Sequence, residues 1–404
     1  MDRPHQALQT LASPPIHSLP EYLYHAYEST PSAGAVPAER PMLIDARTDR
    51  TITYTQFKQM SATLATTLHS RYGITSGHTI AILSSSSIDI PIISAAAWIL
   101  CANIVILTPK LNPGESDIYG YHWWFCVELN ALMRANHMPS IFFASAMYHQ
   151  AIQETILSYM IYPEEMPYII RMTPDVDIDG REVWGNYNLP DLYTPRPNTD
   201  LPYSRQVLCE TMAQELAAVL YFTQAKEEHG LPVIEVTRMS HANTIYFYLN
   251  TQRQSSSSMP HPSDISPSTV VLGVKPTYTV FRLHLAYRLH KTIMDLFCCK
   301  AAYLVAECFD LNEFIRVVEQ YEVKNAELVF EEINMLIAHL RGIASITSTS
   351  SSSGAGAGVL LASLRFIYTA SKKAVEQLAP RLAEVLPGVQ IIHTRFGSYI
   401  DPPA

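Results

Sequence analysis

The sequence predicts an α/β fold on three observations. Short apolar runs bounded by turn residues alternate with segments of helical periodicity, the alternation continues to the C-terminal end, and 48% of the 404 residues are hydrophobic. Thr53-Tyr54-Thr55-Gln56 has the Thr-x-x-Gln spacing of a capping box, and Phe57, Met60, Leu64 and Leu68 recur at helical spacing up to Gly73. An amphipathic helix is therefore expected there. The runs Thr79-Ile80-Ala81-Ile82-Leu83 and Ile104-Val105-Ile106-Leu107 bracket an Ala-rich segment, which predicts a strand, helix, strand unit. Ser140 to Ala144 reads as a strand between two helices in the block from Asn130 to Tyr159. Farther on, Asp310 to Tyr321 predicts a helix through Phe314, Val317 and Val318, followed by a strand from Ala326 to Phe330 and a helix from Ile333 to Leu340.

Three stretches interrupt the pattern. Tyr162 to Arg205 is rich in Pro, Asp, Asn and Tyr with weak periodicity, as a long surface excursion would be. Residues 252–269, with four consecutive serines and three prolines, and residues 345–358, rich in Ser, Thr, Gly and Ala, read as flexible loops. The net charge of -9 excludes a nucleic-acid polyanion as the main partner, because no basic excess replaces its counterions. The six cysteines lie in mostly apolar surroundings without a C-x-x-C or paired metal spacing, so they are expected to be buried thiols.

The apolar stretch from Ile88 to Pro109 is broken by Asp89, Pro91, Ser94 and Asn103, so it predicts a buried helix running into a strand and no membrane span. The first 20 residues lack the continuous apolar core of a secretory signal, and Ile400 to Ala404 is no peroxisomal tripeptide. A cytoplasmic location is the expectation. His284 and His290 are six apart and do not share a helical face, Glu327, Glu331 and Glu332 read as a solvated face, and no metal site is predicted.

Several motifs in one order carry a resemblance. The opening is Pro41-Met42-Leu43-Ile44-Asp45 with Thr53-Tyr54, and Gly77 to Asn112-Pro113 follows. The central stretch runs Ala217 to Phe222, then Thr223-Gln224-Ala225-Lys226-Glu227-Glu228-His229-Gly230-Leu231-Pro232, and closes on Ser240-His241-Ala242-Asn243. Pro276 to Leu283, Phe330-Glu331-Glu332-Ile333 and Leu386 to Ile400 complete the set. Together these resemble the adenylate-forming ligases, in particular the 4-coumarate-CoA ligase type, across nearly the whole chain.

The resemblance implies stacked βαβ subdomains of the ligases' N-terminal domain, without the small C-terminal domain. It divides the chain into an N-terminal extension, 1–40, and a truncated AMP-binding domain, 41–404, with approximate subdomains 41–210 and 211–404. It also implies a carboxylic acid substrate, ATP with Mg²⁺, CoA as co-substrate and a tie to secondary metabolism, while association with a full-length ligase is expected of a non-catalytic form. Thr223, Lys226, Gly230, Phe396 and Gly397 fall on the family's ATP site, and Tyr278, Thr279 and Arg282 on its acyl pocket. His241 and Asn243 match positions that support the phosphate loop.

The matches depart from the family pattern at its chemistry. The phosphate loop is two residues longer and carries Glu227 and Glu228, and Val233 stands where a lysine follows Leu-Pro. Thr279 replaces a histidine, Arg282 a glycine, and Glu331-Glu332 a pair of prolines. Tyr399 and Ile400 replace the Thr and the Mg²⁺-binding Glu, and isoleucine offers magnesium no oxygen. The expected result is a ligase-like chain impaired in catalysis, with a non-catalytic pseudoenzyme or interaction protein as the alternative. A second motif, Tyr368-x-x-x-Lys372, has the spacing of short-chain dehydrogenases, but no Gly-rich dinucleotide turn stands at the required distance upstream.

Overall fold

A computed structural model describes residues 18–29, 41–46, 48–84, 87–107, 118–159, 166–176, 181–183, 187–194, 210–228, 231–246, 248–249, 270–274, 293, 296–297, 302–306, 310–328, 330–349, 361–369 and 371–393. Helix α1 (Leu19–Ser29) precedes the hairpin of β1 (Pro41–Asp45) and β2 (Thr51–Thr53), and α2 spans Tyr54–Tyr72. The predicted capping box starts α2: Gln56 N–H donates to Thr53 Oγ1 at 3.3 Å and Thr53 N–H donates to Gln56 Oε1 at 2.9 Å. Gly73 ends the helix at φ 65, a left-handed conformation that glycine adopts without a Cβ penalty. Thr53→Ala is expected to destabilise the protein by about 1 kcal/mol in urea unfolding, while Thr53→Ser leaves the midpoint nearly in place. Equal midpoints for Thr53→Ala and the parent would contradict this role.

The chain continues through β3 (Thr79–Leu83), α3 (Asp89–Ile99), β4 (Asn103–Ile106), α4 (Ile118–Arg134), β5 (Pro139–Ala144), α5 (Ala146–Tyr159) and β6 (Tyr168–Arg171). Short elements β7 (Asp175–Val176), β8 (Glu182–Val183), α6 (Leu189–Leu192) and α7 (Glu210–Glu215) lead to the long strands β9 (Ala217–Glu228) and β10 (Leu231–Ser240). Strands β11 (Val270–Val274) and β12 (Ala302–Ala306), helix α8 (Leu311–Gln320), β13 (Asn325–Glu327), α9 (Phe330–Thr349), β14 (Phe366–Thr369), α10 (Lys372–Val385) and β15 (Gln390–His393) complete the described elements.

The strands form two large sheets. The first has the order β15-β14-β13-β11-β12-β1-β2 and is parallel apart from β2. The second has the order β10-β9-β4-β3-β5-β6 and is parallel apart from β10. Both are doubly wound: the chain runs outward from β11 to β12 and returns to β13 in the first, and from β3 to β4 and back to β5 in the second.

Alternation along each strand sorts the core into layers. Ile80, Ile82, Ile104, Ile141 and Phe143 face α1, α2 and α3, which also pack on Met42 and Leu43 of the first sheet. Ala81, Leu83, Val105 and Phe142 face the other way, onto Phe125, Leu129 and Leu132 of α4 and Ile152 and Ile156 of α5. On the far side of the first sheet, Ile44, Ala326, Ile367 and Ile391 pack with α8, α9 and α10. The described elements thus stack as helix, sheet, helix, sheet, helix.

Several expectations need correction. Residue 210 does not mark a change of sheet: β9 and β10 belong with β3 to β6, whereas β1 and β2 join strands more than 200 residues later, because parallel partners are found by crossover and not by sequence proximity. The expected extension, 1–40, contains α1, whose Leu19 and Leu23 are fully buried against the central helices. Within Tyr162 to Arg205, β6 completes the second sheet and the pair β7 and β8 adds a small ribbon, since Tyr168-Ile169-Ile170-Arg171 is a short strand that a window average conceals. Helix α9 starts at Phe330, where a strand was expected, and runs through Thr349 into the expected 345–358 loop; Ile343 keeps its apolar stripe in contact with the core. The 252–269 loop lies outside the described residues.

Candidate functional site

In doubly wound sheets, ligands bind outside the carboxyl ends of the strands where the winding reverses. In the first sheet this point lies between β11 and β13, after Val274 and Glu327. The first turns of α9 and α10, the positive ends of their dipoles, stand on the same edge. Ser371 caps α10 by accepting from Ala374 N–H at 3.1 Å, and Lys373 Nζ lies 5.2 Å from the centroid of the Phe330 ring. Glu332, expected on a solvated face, is instead only 1% exposed in the first turn of α9, where the helix dipole favours a carboxylate.

The β9–β10 hairpin bears on the same function and departs most from expectation. Where a loop was predicted to cradle phosphate, β9 continues as a strand through Glu228 and pairs antiparallel with β10 from Leu231 onward. Glu228 pairs with Leu231, Glu227 with Pro232 and Lys226 with Val233, and a bulge follows before Gln224 pairs with Ile234. Thr223 Oγ1 and Thr237 Oγ1 hydrogen-bond across the ribbon at 3.2 Å. The β-branched and aromatic residues of both strands favour this ladder. Successive N–H groups of an extended strand point to opposite sides, whereas a phosphate nest needs them to converge. Thr223 and Lys226 therefore sit in a ladder and not in a cradle.

The remaining predicted site residues, Gly230, Tyr278, Thr279, Arg282, Phe396 and Gly397, lie outside the described residues. So do His284 and His290. Ser240 ends β10 and caps the helical segment 241–246 by accepting from Asn243 N–H at 3.2 Å. His241, expected to support the loop, holds the N-terminal helix: its Nδ1 accepts from Leu19 N–H at 3.2 Å. Burial alone pushes this imidazole down to about 4. The Tyr368 and Lys372 pair is split between β14 and the first position of α10, and Lys372 Nζ pairs with Glu376 Oε1 at 3.4 Å. The two residues are not one turn apart on a single helix, as the dehydrogenase arrangement needs. Burial raises the Cys101 thiol to about 11, which suits a buried thiol and not a nucleophile, and no cluster of metal ligands occurs among the described residues.

The paired, doubly wound sheets around a shared helix layer recur in solved structures. A luciferase-like enzyme from the nonluminescent mealworm Zophobas morio superposes with a TM-score of 0.61 at 16% identity, over 94% of this chain and 72% of that one. A long-chain-fatty-acid-CoA ligase from Archaeoglobus fulgidus gives 0.62 at 16% identity, over 95% and 64%. O-succinylbenzoate coenzyme A synthetase from Bacillus subtilis, solved in complex with AMP, gives 0.56 at 13% identity, over 93% and 73%. The chain has the adenylate-forming ligase fold. No protein-family model and no curated protein matches the sequence. Beyond the fold, the 4-coumarate type rests on the motifs alone.

One constellation of the ligase-like fold was missed by sequence reasoning. Asp89, at the start of α3, is buried and accepts from four donors: Arg50 Nη1 at 3.2 Å, Arg50 Nη2 at 3.1 Å, Tyr193 Oη at 2.9 Å and Ser87 Oγ at 3.3 Å. Burial, and then the carboxylate beside it, hold the Tyr193 phenol well above its ordinary range, so it stays a donor. A groove of about 410 Å³ opens beside this network, lined by Arg50, Thr51, Ile52, Gln56, Gln59, Met60, Thr63 and Tyr193. The signal for it was Asp89 itself, a charge in an otherwise apolar run. No helix among the described residues is long and apolar enough to cross a membrane.

Proposed function

We propose that this chain is an acyl-CoA ligase-like protein of the 4-coumarate type that does not activate carboxylic acids with ATP at a useful rate. The fold shared with ligases supports the relationship, and the β9–β10 hairpin supports the loss of activity. Phosphoryl and adenylyl transfer depend on donors preorganised around the phosphates. Here the segment that would supply them is a paired ribbon, broken by one bulge, whose N–H groups alternate in direction along the ladder, and in sequence Glu227 and Glu228 stand in place of small residues. Two carboxylates near a triphosphate add like-charge repulsion of about 1 kcal/mol per close contact even in water. The residues present do not fit the triphosphate, so no catalytic step is assigned through it.

The reading is tested by pyrophosphate release with ATP, Mg²⁺, CoA and a panel of aryl and fatty acids. Release at the acid-free background is expected. Robust acid-dependent release would overturn the proposal, and calorimetry with ATP alone separates failed binding, the expected cause, from failed chemistry. A place in secondary metabolism rests on the motif resemblance; a cytoplasmic location and, for a non-catalytic role, association with a full-length ligase are proposed beside it.

A further inference from the structure

We propose that the groove beside Arg50 is a binding site for a small organic monocarboxylate, independent of the ligase-like reading. It lies on β2 and α2, on the same edge of the first sheet as the β11 and β13 crevice but displaced from β11 by three strand positions, β12, β1 and β2, or roughly 14 Å. A ligand there does not occupy the crevice.

The chemistry follows from how Arg50 is held. A guanidinium has five N–H donors and two faces on which a carboxylate makes two parallel bonds. Asp89 takes the end-on face, with Nη1 donating to Oδ2 and Nη2 to Oδ1. The side-on face, Nε–H with an outer Nη–H, is bonded to none of the described residues, and the Arg50 side chain is 42% exposed where it lines the groove. Because Tyr193 and Ser87 complete the Asp89 shell, the carboxylate is fixed, and it fixes the guanidinium in turn. An arginine locked in this way loses little further rotamer freedom when it binds.

The rest of the lining agrees with one flat anion on an apolar body. Thr51, Thr63 and Gln59 bring hydroxyl and amide groups, Met60 and the Tyr193 ring bring apolar surface, and no carboxylate or second cation lines the groove. A phosphate, with two charges and a tetrahedral shape, would find one cation and one planar fork. A monocarboxylate matches both. Asp89 sits behind the guanidinium, where its oxygens are taken up by the two Arg50 Nη groups and by the Tyr193 and Ser87 hydroxyls, so it turns none of them toward the groove lining.

The test uses benzoate and benzamide, which share a body and differ in charge, followed by ligand-observed NMR and calorimetry on the full chain without nucleotide. Benzoate is expected to bind about tenfold more tightly than benzamide. Gln59→Glu, at an exposed position on α2, is expected to weaken benzoate by roughly tenfold and benzamide by less than about twofold, and Arg50→Lys to weaken benzoate by roughly tenfold by removing the side-on fork. Equal affinity for the two probes, no benzoate binding at roughly 10 mM, or benzoate binding indifferent to Gln59→Glu would each overturn the proposal. Pyrophosphate release is not read in this experiment, so its outcome leaves the ligase-like reading standing or falling on its own test.

Discussion

Trp98→Ala is expected to destabilise the protein by about 4 kcal/mol, the largest effect of any single substitution considered for this fold. The Trp98 side chain is fully buried in the central helix layer, and its Nε1–H donates to the Ala218 carbonyl at 2.9 Å. Truncation opens a large cavity between helices and sheet, and it leaves a buried carbonyl at the root of β9 without its donor. Trp98→Phe keeps most of the volume but loses the hydrogen bond and leaves a smaller cavity, for about 2 kcal/mol. Urea unfolding followed by circular dichroism reads both: the midpoint should fall in that order with an unchanged slope. A Trp98→Ala midpoint within error of Trp98→Phe would show that the layer closes over the gap, contrary to the packing described.

The second large effect is a loss of stability in mild acid, centred on His241. This residue is fully buried, and burial depresses its imidazole from the ordinary value near 6.5 to about 4. Between those values the unfolded chain binds the proton and the folded chain does not, so stability rises with pH across this window. The contribution is complete above about pH 6.5 and falls away as pH drops toward 4, by about 3 kcal/mol in all. Protonation would also remove the Nδ1 acceptor that Leu19 N–H uses. His241→Gln, which keeps an acceptor without a titration in this range, is expected to flatten the stability profile between pH 4 and 6.5. Parallel profiles for the two proteins would assign the acid sensitivity to other groups.

Local signals carried most of the individual elements. The capping box at Thr53, the periodicity of Phe57, Leu64 and Leu68, and the runs at Ile80 and Ile104 each depend on residues within one or two turns or strands of each other. What they could not carry is partnership over distance. Nothing in Pro41 to Asp45 says that its parallel neighbour is Ala302 to Ala306, and so the division near residue 210 missed the exchange of strands between sheets. The hairpin failed for a different reason. The phosphate loop there was expected from the motif resemblance, while the pairing that extends β9 through Glu228 is set by β10. Buried charge was equally hidden: Asp89 was visible only as an interruption, and its four donors come from residues as far away as Tyr193.

Helix α3 has almost no surface of its own. Asp89, Pro91, Ile92, Ile93, Ser94, Ala95, Ala96, Ala97 and Trp98 are all buried, with one sheet on either side of the layer to which the helix belongs. Such an element is a spacer, and the small residues Ser94 to Ala97 set the gap it spans. Neither sheet can shed this layer without stripping the other of its covering, so the two halves share a single melting event. The same burial limits what the segment tolerates: a larger side chain at Ala96 has no solvent side toward which to relax.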